Sequence, residues 1–237
     1  MCDTLIQAAR QLSRSVDTIQ FSPPVTYVYN PLHYAWPAHE QYLQHWGTGP
    51  RRVVFLGMNP GPWGMVQTGV PFGDVGMVRD WLGLEASVAK PPDEHPARPV
   101  QGWDCPRGEV SGQRLWGLFA ARFGNPERFF RHHFVANYCP LAFMEASGRN
   151  RTPDKLSPTE RARLLPVCDE HLRAVCRVLK PEYLVGVGRF ACMRARTALK
   201  DVQVTVVQVL HPSPASPRAN QGWAEQATRQ LVDLGIW

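Results

Sequence analysis

Short, almost uninterrupted apolar runs alternate along the chain with stretches whose apolar positions recur every three or four residues. The runs fall at residues 51–58, at "FVANYCPL", at "YLVGVG" and at "VQVTVVQVL". The first reads as a strand buried on both faces, and together they suggest a sheet covered on both faces. The helical spacing recurs over residues 3–15, with Leu5, Ala8, Ala9 and Leu12 on one face, and over "DVGMVRDWLGL" and residues 111–123. It returns from the loop "SGRNRTPDKLSP" to about residue 180, with a break or restart expected at Pro166, then over "RFACMRARTALK" and residues 220–234. Residues 21–46, crowded with aromatics and prolines, read as irregular packed surface. The five prolines between residues 90 and 112 predict a long loop, fit for a lid or a binding segment. Strands alternating with helices give an α/β class built on a mostly parallel sheet. Neither repeats nor a linker interrupt it, so one domain over residues 1–237 is expected.

Composition narrows the class without fixing the chemistry. At 237 residues and 44% hydrophobic content the chain can bury a substantial core. No apolar run reaches the ~20 residues of a membrane span, and the amphipathic start lacks a signal-peptide core, so an intracellular location is expected. The six cysteines (2, 105, 139, 168, 176 and 192) form no CxxC pair, which argues against zinc ribbons and iron–sulfur ladders. Cys168 and Cys176 fall on an apolar helical face as small core residues. The net charge is +6, and only four of the 26 basic residues are lysines, so arginine carries a positive field suited to phosphate.

Three predicted strands end in polar turns stopped by proline: Asn59-Pro60, "NYCP" from Asn137, and His211-Pro212. Ligands of open α/β sheets bind outside the carboxyl ends of the strands, so neighbouring strands would bring two amides and an imidazole to one edge. "GVGRFA" at residues 186–191 satisfies the GxGxxA dinucleotide pattern, but the next strand ends in histidine where an acid should hold the ribose. The chain contains no P-loop, no GxSxG elbow and no HExxH metal motif, and His132-His133 reads as a solvated helix end. No metal and no cofactor is expected.

"GMNPGPWGMVQTGVPFG" and "HPSPASPRAN" closely resemble the two signature motifs of the single-strand-selective monofunctional uracil-DNA glycosylases. "MVRDWLGL", "EVSGQRLWGLF", "NYCPLAF", "SGRNRTP" and "YLVGVGR" follow in matching order, so the resemblance covers about residue 27 to the C-terminus. It implies a three-layer α/β/α domain around a central, mostly parallel sheet. It also implies excision of uracil and oxidised 5-substituted uracils from single- and double-stranded DNA, extending in some members to xanthine. The base would be flipped out of the stack and an intact abasic site left for base excision repair.

By the same resemblance, His211 donates a hydrogen bond to the departing uracil anion, and Asn59 holds the attacking water. Asn137 reads the Watson–Crick edge, Phe72 stacks on the base, and Met58, Gly61 and Met65 wall a pocket roomy enough for a 5-substituent. The loop Ser147, Gly148, Arg149, Asn150, Arg151, Thr152 and Lys155 contacts DNA, with Arg149, Arg151 and Lys155 on phosphates. Ser213, Pro214, Ala215, Arg218 and Ala219 belong to the segment that wedges into the duplex. Ala215 stands where many relatives carry Arg, which puts the wedge's strength in doubt. An amide accepts a hydrogen bond but cannot take a proton at neutral pH, so Asn59 suits positioning of water in place of general-base chemistry. Neither motif contains the lysine that strand cleavage through a Schiff base requires. A monomer acting on damaged DNA is expected. The alternatives are a non-catalytic damaged-DNA binding module and a hydrolase of free nucleosides.

Overall fold

The computed structural model describes residues 4–237; Cys2, and Asp3 as the expected start of the first helix, lie outside the described residues. Helix α1 (Leu5–Asp17) begins at a reciprocal cap in which Thr4 Oγ1 accepts the Gln7 N–H at 3.2 Å and Gln7 Oε1 accepts the Thr4 N–H at 3.3 Å. Residues 21–46 are not irregular. They form β1 (Val25–Tyr29), α2 (Pro31–Tyr34) and α3 (Trp36–Trp46). Asn30 starts the helical part by accepting the Leu32 N–H ahead of Pro31.

Next come β2 (Val53–Gly57), α4 (Met65–Thr68), a π-helical turn at Met77–Trp81 and a 3-10 turn at Gly102–Asp104 inside the proline-rich loop. Then follow α5 (Val110–Phe123), α6 (Pro126–Phe130), β3 (His133–Asn137), β4 (Ala142–Glu145) and β5 (Asn150–Arg151). Helix α7 (Pro158–Leu179) starts at a Ser157–Glu160 capping box and continues through Pro166 without a restart. The chain closes with β6 (Tyr183–Val187), α8 (Arg189–Ala198), β7 (Thr205–Val209) and α9 (Trp223–Asp233).

The expected parallel sheet is present in the order β3-β2-β6-β7. Every residue of β2 is buried, which explains its unbroken apolar run. Burying Phe55 and Leu56 there contributes about 1.5–3 kcal/mol apiece. On one face Phe55 meets Phe119 of α5 and Phe129 of α6; α1, α3, α7 and α8 cover the other. The expected strand over residues 134–141 ends early, at Asn137, and the next strand, β4, starts only at Ala142. β3 stays in the parallel sheet, and β4 turns away to pair antiparallel with β1 and β5 in a small second sheet. Because β2 and β3 run one way across the sheet while β6 and β7 lie on the other side of β2, the topology reverses at β2. A crevice is expected at its carboxyl end.

His133 is buried at the start of β3, not solvated at a helix end. Its Nδ1–H donates to Phe129 O at 2.9 Å, and its Nε2 accepts the Trp237 indole N–H at 3.3 Å. His39, also buried, donates Nδ1–H to Gly69 O at 2.7 Å. Desolvation lowers both imidazoles from 6.5 to about 4. Below pH 6.5 the unfolded chain takes up protons that the folded protein excludes. The stabilisation is therefore complete above 6.5 and is lost as pH falls toward 4, on the order of 1–3 kcal/mol per histidine. The urea midpoint should be level between about pH 7 and 8 and decline steadily below 6.5. A midpoint unchanged down to about pH 4.5 would contradict this account.

Candidate active site

The reversal point carries a cleft of about 350 Å³, lined by Met58, Asn59, Gly61, Met65, Phe72, Asn137 and His211. Three strand ends do converge there. Gly57, the last residue of β2, is in register with Asn137, the last residue of β3. Asn59 follows two residues beyond β2, and His211 two residues beyond β7. β7 is separated from β2 by β6, and the gap is spanned because Gly188, at φ 90°, lets His211 come close. A Cβ on Gly188 would stand 3.0 Å from the His211 Cβ. The second glycine of the GxGxxA pattern thus makes room for the histidine.

The hydrogen bonds around the two motif side chains fix their polarity. Asn59 Nδ2 donates to Leu141 O at 3.1 Å, just before β4 turns away, which leaves Oδ1 as the free acceptor. His211 Nδ1 accepts the Ser213 N–H at 3.0 Å, so the neutral ring must carry its proton on Nε2. Desolvation lowers this imidazole to about 4, so at neutral pH it is an uncharged donor.

Asn137 Nδ2 donates to Met65 Sδ at 3.2 Å, a weak acceptor that a better ligand can displace. A Cβ on Gly57 would fall on Asn137 Oδ1 and on the Phe72 ring, so the bare glycine lets both pack at the end of β2. Phe72 is only partly buried, and its ring centre lies 6.2 Å from that of His211, which favours a pocket wall over plain core. Its backbone sits at φ 54°, a left-handed conformation costly for a bulky residue and common where function dictates geometry.

The DNA-binding candidates separate by position. Asn150, Thr152, Ser213 and Pro214 line the cleft itself, and Asn150 Oδ1 is buried without a partner. Ser147, Arg149, Lys155, Ala215 and Arg218 are exposed nearby in sequence, with Lys155 paired to Asp154 at 3.3 Å. Arg151 is committed elsewhere. Its Nη1 meets Glu145 Oε1 at 2.7 Å and its Nε donates to Lys155 O, so it braces the β4–β5 hairpin. Gly148 and Ala219 are buried and offer no side chain to a ligand; Ala219 packs in the main core.

Two residues escaped sequence reasoning. Glu109 reaches over Gly61 and Gly64 into the cleft, where burial raises its carboxyl pKa while its Oε1 accepts the Ser111 N–H as the cap of α5. Arg114 donates to Pro212 O and to Asn220 Oδ1, both at 2.9 Å, and so braces the segment after His211. Both lie in "EVSGQRLWGLF", where the reading as a plain helix from residue 111 drew attention away from the two charged side chains. No lysine lines the cleft among the described residues, and these contain no cluster of three metal-binding side chains.

Fold and site together define an α/β/α domain with a cleft at the carboxyl ends of its strands, lined by two amides and a neutral histidine donor. The chain belongs to the uracil DNA glycosylase superfamily, whose family model matches residues 46–232. It is 49% identical over 238 residues to the single-strand selective monofunctional uracil-DNA glycosylase of Rattus norvegicus, covering 100% of this chain and 86% of that protein. The Bos taurus protein of the same name is 50% identical, with 100% and 88% covered. The crystal structure of wild-type SMUG2 from Pedobacter heparinus shares the fold at a TM-score of 0.63 and 17% identity, covering 97% of this chain and 95% of that one.

Proposed function

We propose that the protein hydrolyses the N-glycosidic bond of uracil and of 5-substituted uracils in DNA, acting as a monomer and leaving the strand intact. The observation that carries this reading is the pairing, in one cleft, of a free Asn59 oxygen with the Nε2–H of a neutral His211. Cleavage leaves negative charge on the uracil oxygens and cationic character at C1′ of the sugar. A fixed donor aimed at the leaving base stabilises the first, and water held in line captures the second.

The base must leave the stack to enter the cleft, as in enzymes that act on a base generally. Phe72 then faces the pyrimidine ring, and the Asn137 amide exchanges the Met65 sulfur for the base edge, offering both donor and acceptor. Met65 is unbranched and adaptable, which suits it to yield to a substituent at C5. With no lysine lining the cleft among the described residues, elimination at the sugar has no amine there to start it.

The test is a single-turnover assay on an oligonucleotide with one uracil, in which alkali reveals abasic sites. Strand breaks are expected only after alkali, and free deoxyuridine should remain uncleaved. Inertness toward the oligonucleotide at micromolar enzyme would leave a binding module, and cleavage of the free nucleoside would make the protein a nucleoside hydrolase.

A further inference from the structure

The proline-rich loop is built into the cleft wall. Gln67, fully buried in α4, ties it there with all of its amide capacity. Its Nε2 donates to Pro62 O and Pro99 O at 3.0 Å, and its Oε1 accepts the N–H groups of Gln101 and Gly102. This clasp sets the loop beside the turn after β2 and brings two arginines from it over one ring. The Arg98 guanidinium lies 5.2 Å from the Trp63 ring centre and that of Arg107 4.6 Å from it. Trp63 itself lines the cleft four residues after Asn59. On its other flank Arg98 abuts the 147–155 loop, since a Cβ on Gly148 would stand 3.6 Å from the Arg98 Cζ.

Among the described residues neither guanidinium has a carboxylate within ion-pair distance. Glu94, the acid nearest Arg98 in sequence, is taken by Lys90 and by the Val100 N–H; Glu109, the acid nearest Arg107, is turned over Gly61 and Gly64. Two positive charges without an ion-pair partner among the described residues therefore lie against a tryptophan of the cleft wall.

We propose that Arg98 and Arg107, held on Trp63, form a phosphate clamp for the DNA strand on the proline-loop side of the extruded nucleotide. The proposal rests on the glycosylase reading for its ligand. Stacking fixes long side chains that would otherwise lose their freedom on binding, and the guanidinium fork then meets phosphate oxygens with its remaining donors. The segment after His211, braced by Arg114, also lines the cleft through Ser213 and Pro214, so the strand would be held there as well as at the clamp. The clamp also supplies positive charge that Arg151, which Glu145 occupies, does not.

The test reads equilibrium binding of a uracil-free single-stranded oligonucleotide against salt, so it needs no catalysis. For wild type and the double variant Arg98→Ala/Arg107→Ala, the slope of log K against log salt should differ by about 1.4, at about 0.7 per lost phosphate contact, with affinity down ~10-fold or more at low salt. Trp63→Ala keeps both charges and should weaken binding a few-fold while preserving the slope. Arg122→Ala is the control: its guanidinium also stacks on a tryptophan, Trp237 at 4.5 Å, but at the opposite end of the sheet beside His133.

An unchanged slope in the double variant overturns the clamp. An equal fall in Arg122→Ala overturns it too, because net charge alone would then explain the effect. Unaltered binding by Trp63→Ala removes the stack from the proposal. A wild-type protein that binds with the full slope yet cleaves no uracil oligonucleotide would instead overturn the glycosylase reading and leave the clamp standing.

Discussion

Asn59→Ala is expected to lower the single-turnover rate of uracil excision by about 10²-fold while changing DNA affinity less than about twofold. The side chain is anchored at one end and free at the other: Nδ2 is spent on Leu141 O at 3.1 Å, and Oδ1 alone faces the cleft. An acceptor in that state can orient a water but cannot remove its proton, so its whole contribution is geometric. Asn59→Gln provides the sharper check. It restores the amide but carries the oxygen one methylene too far, and a misplacement of ~1 Å is enough to forfeit most of a positioning effect. Glutamine is therefore expected to rescue little. A rate in Asn59→Ala equal to wild type would remove water positioning from the mechanism, and full rescue by glutamine would mean that an amide anywhere nearby suffices.

What could be read from residue order was whatever the chain decides locally. β2 and β6 announced themselves because strands buried on both faces must be apolar throughout; β7, the half-exposed edge strand, showed through its valines, and Asn59, Asn137 and His211 stood out because proline follows the strands that carry them. Elements decided by distant partners stayed hidden. β1 is short and buried only at its two ends, lies in an aromatic-rich stretch, and exists because β4 pairs with it from more than 100 residues away. Pro166 looked like a helix break, yet the helix runs on because Leu164, Cys168 and Leu172 are buried while the proline ring faces solvent; packing overrides the one lost backbone bond.

The site divides along the same line. Motif positions were legible, but the orientation of each polar group depends on contacts from elsewhere, such as Leu141 O for Asn59. Arg151 shows the cost of reading charge alone. In sequence it is one more basic residue of a loop, and only the fold reveals that Glu145 has claimed it. Arg98 and Arg107 are the converse case, plain loop arginines until the buried Gln67 places them beside Trp63.

His211→Ala is expected to cost about 10²–10³ in the excision rate, the range for removing one donor from a site where negative charge develops. The geometry also dictates how the wild-type rate depends on pH. The Ser213 N–H occupies Nδ1 and burial holds the ring neutral down to about 4, so the donating Nε2–H is present across the whole neutral range. The contribution of His211 should therefore be level from about pH 5.5 to 8, changing only as pH falls toward 4, where protonating Nδ1 sets it against the Ser213 N–H. A charged imidazolium donor predicts the opposite sign, with a rate that falls as pH rises through about 6.5. Nitrogen-15 spectra of labelled histidine separate the two directly, since a neutral Nε2–H ring and an imidazolium differ at both nitrogens. An imidazolium signal at pH 7, or a rate that declines between about pH 6 and 7, would transfer the stabilisation of the leaving uracil from a neutral hydrogen bond to a full positive charge.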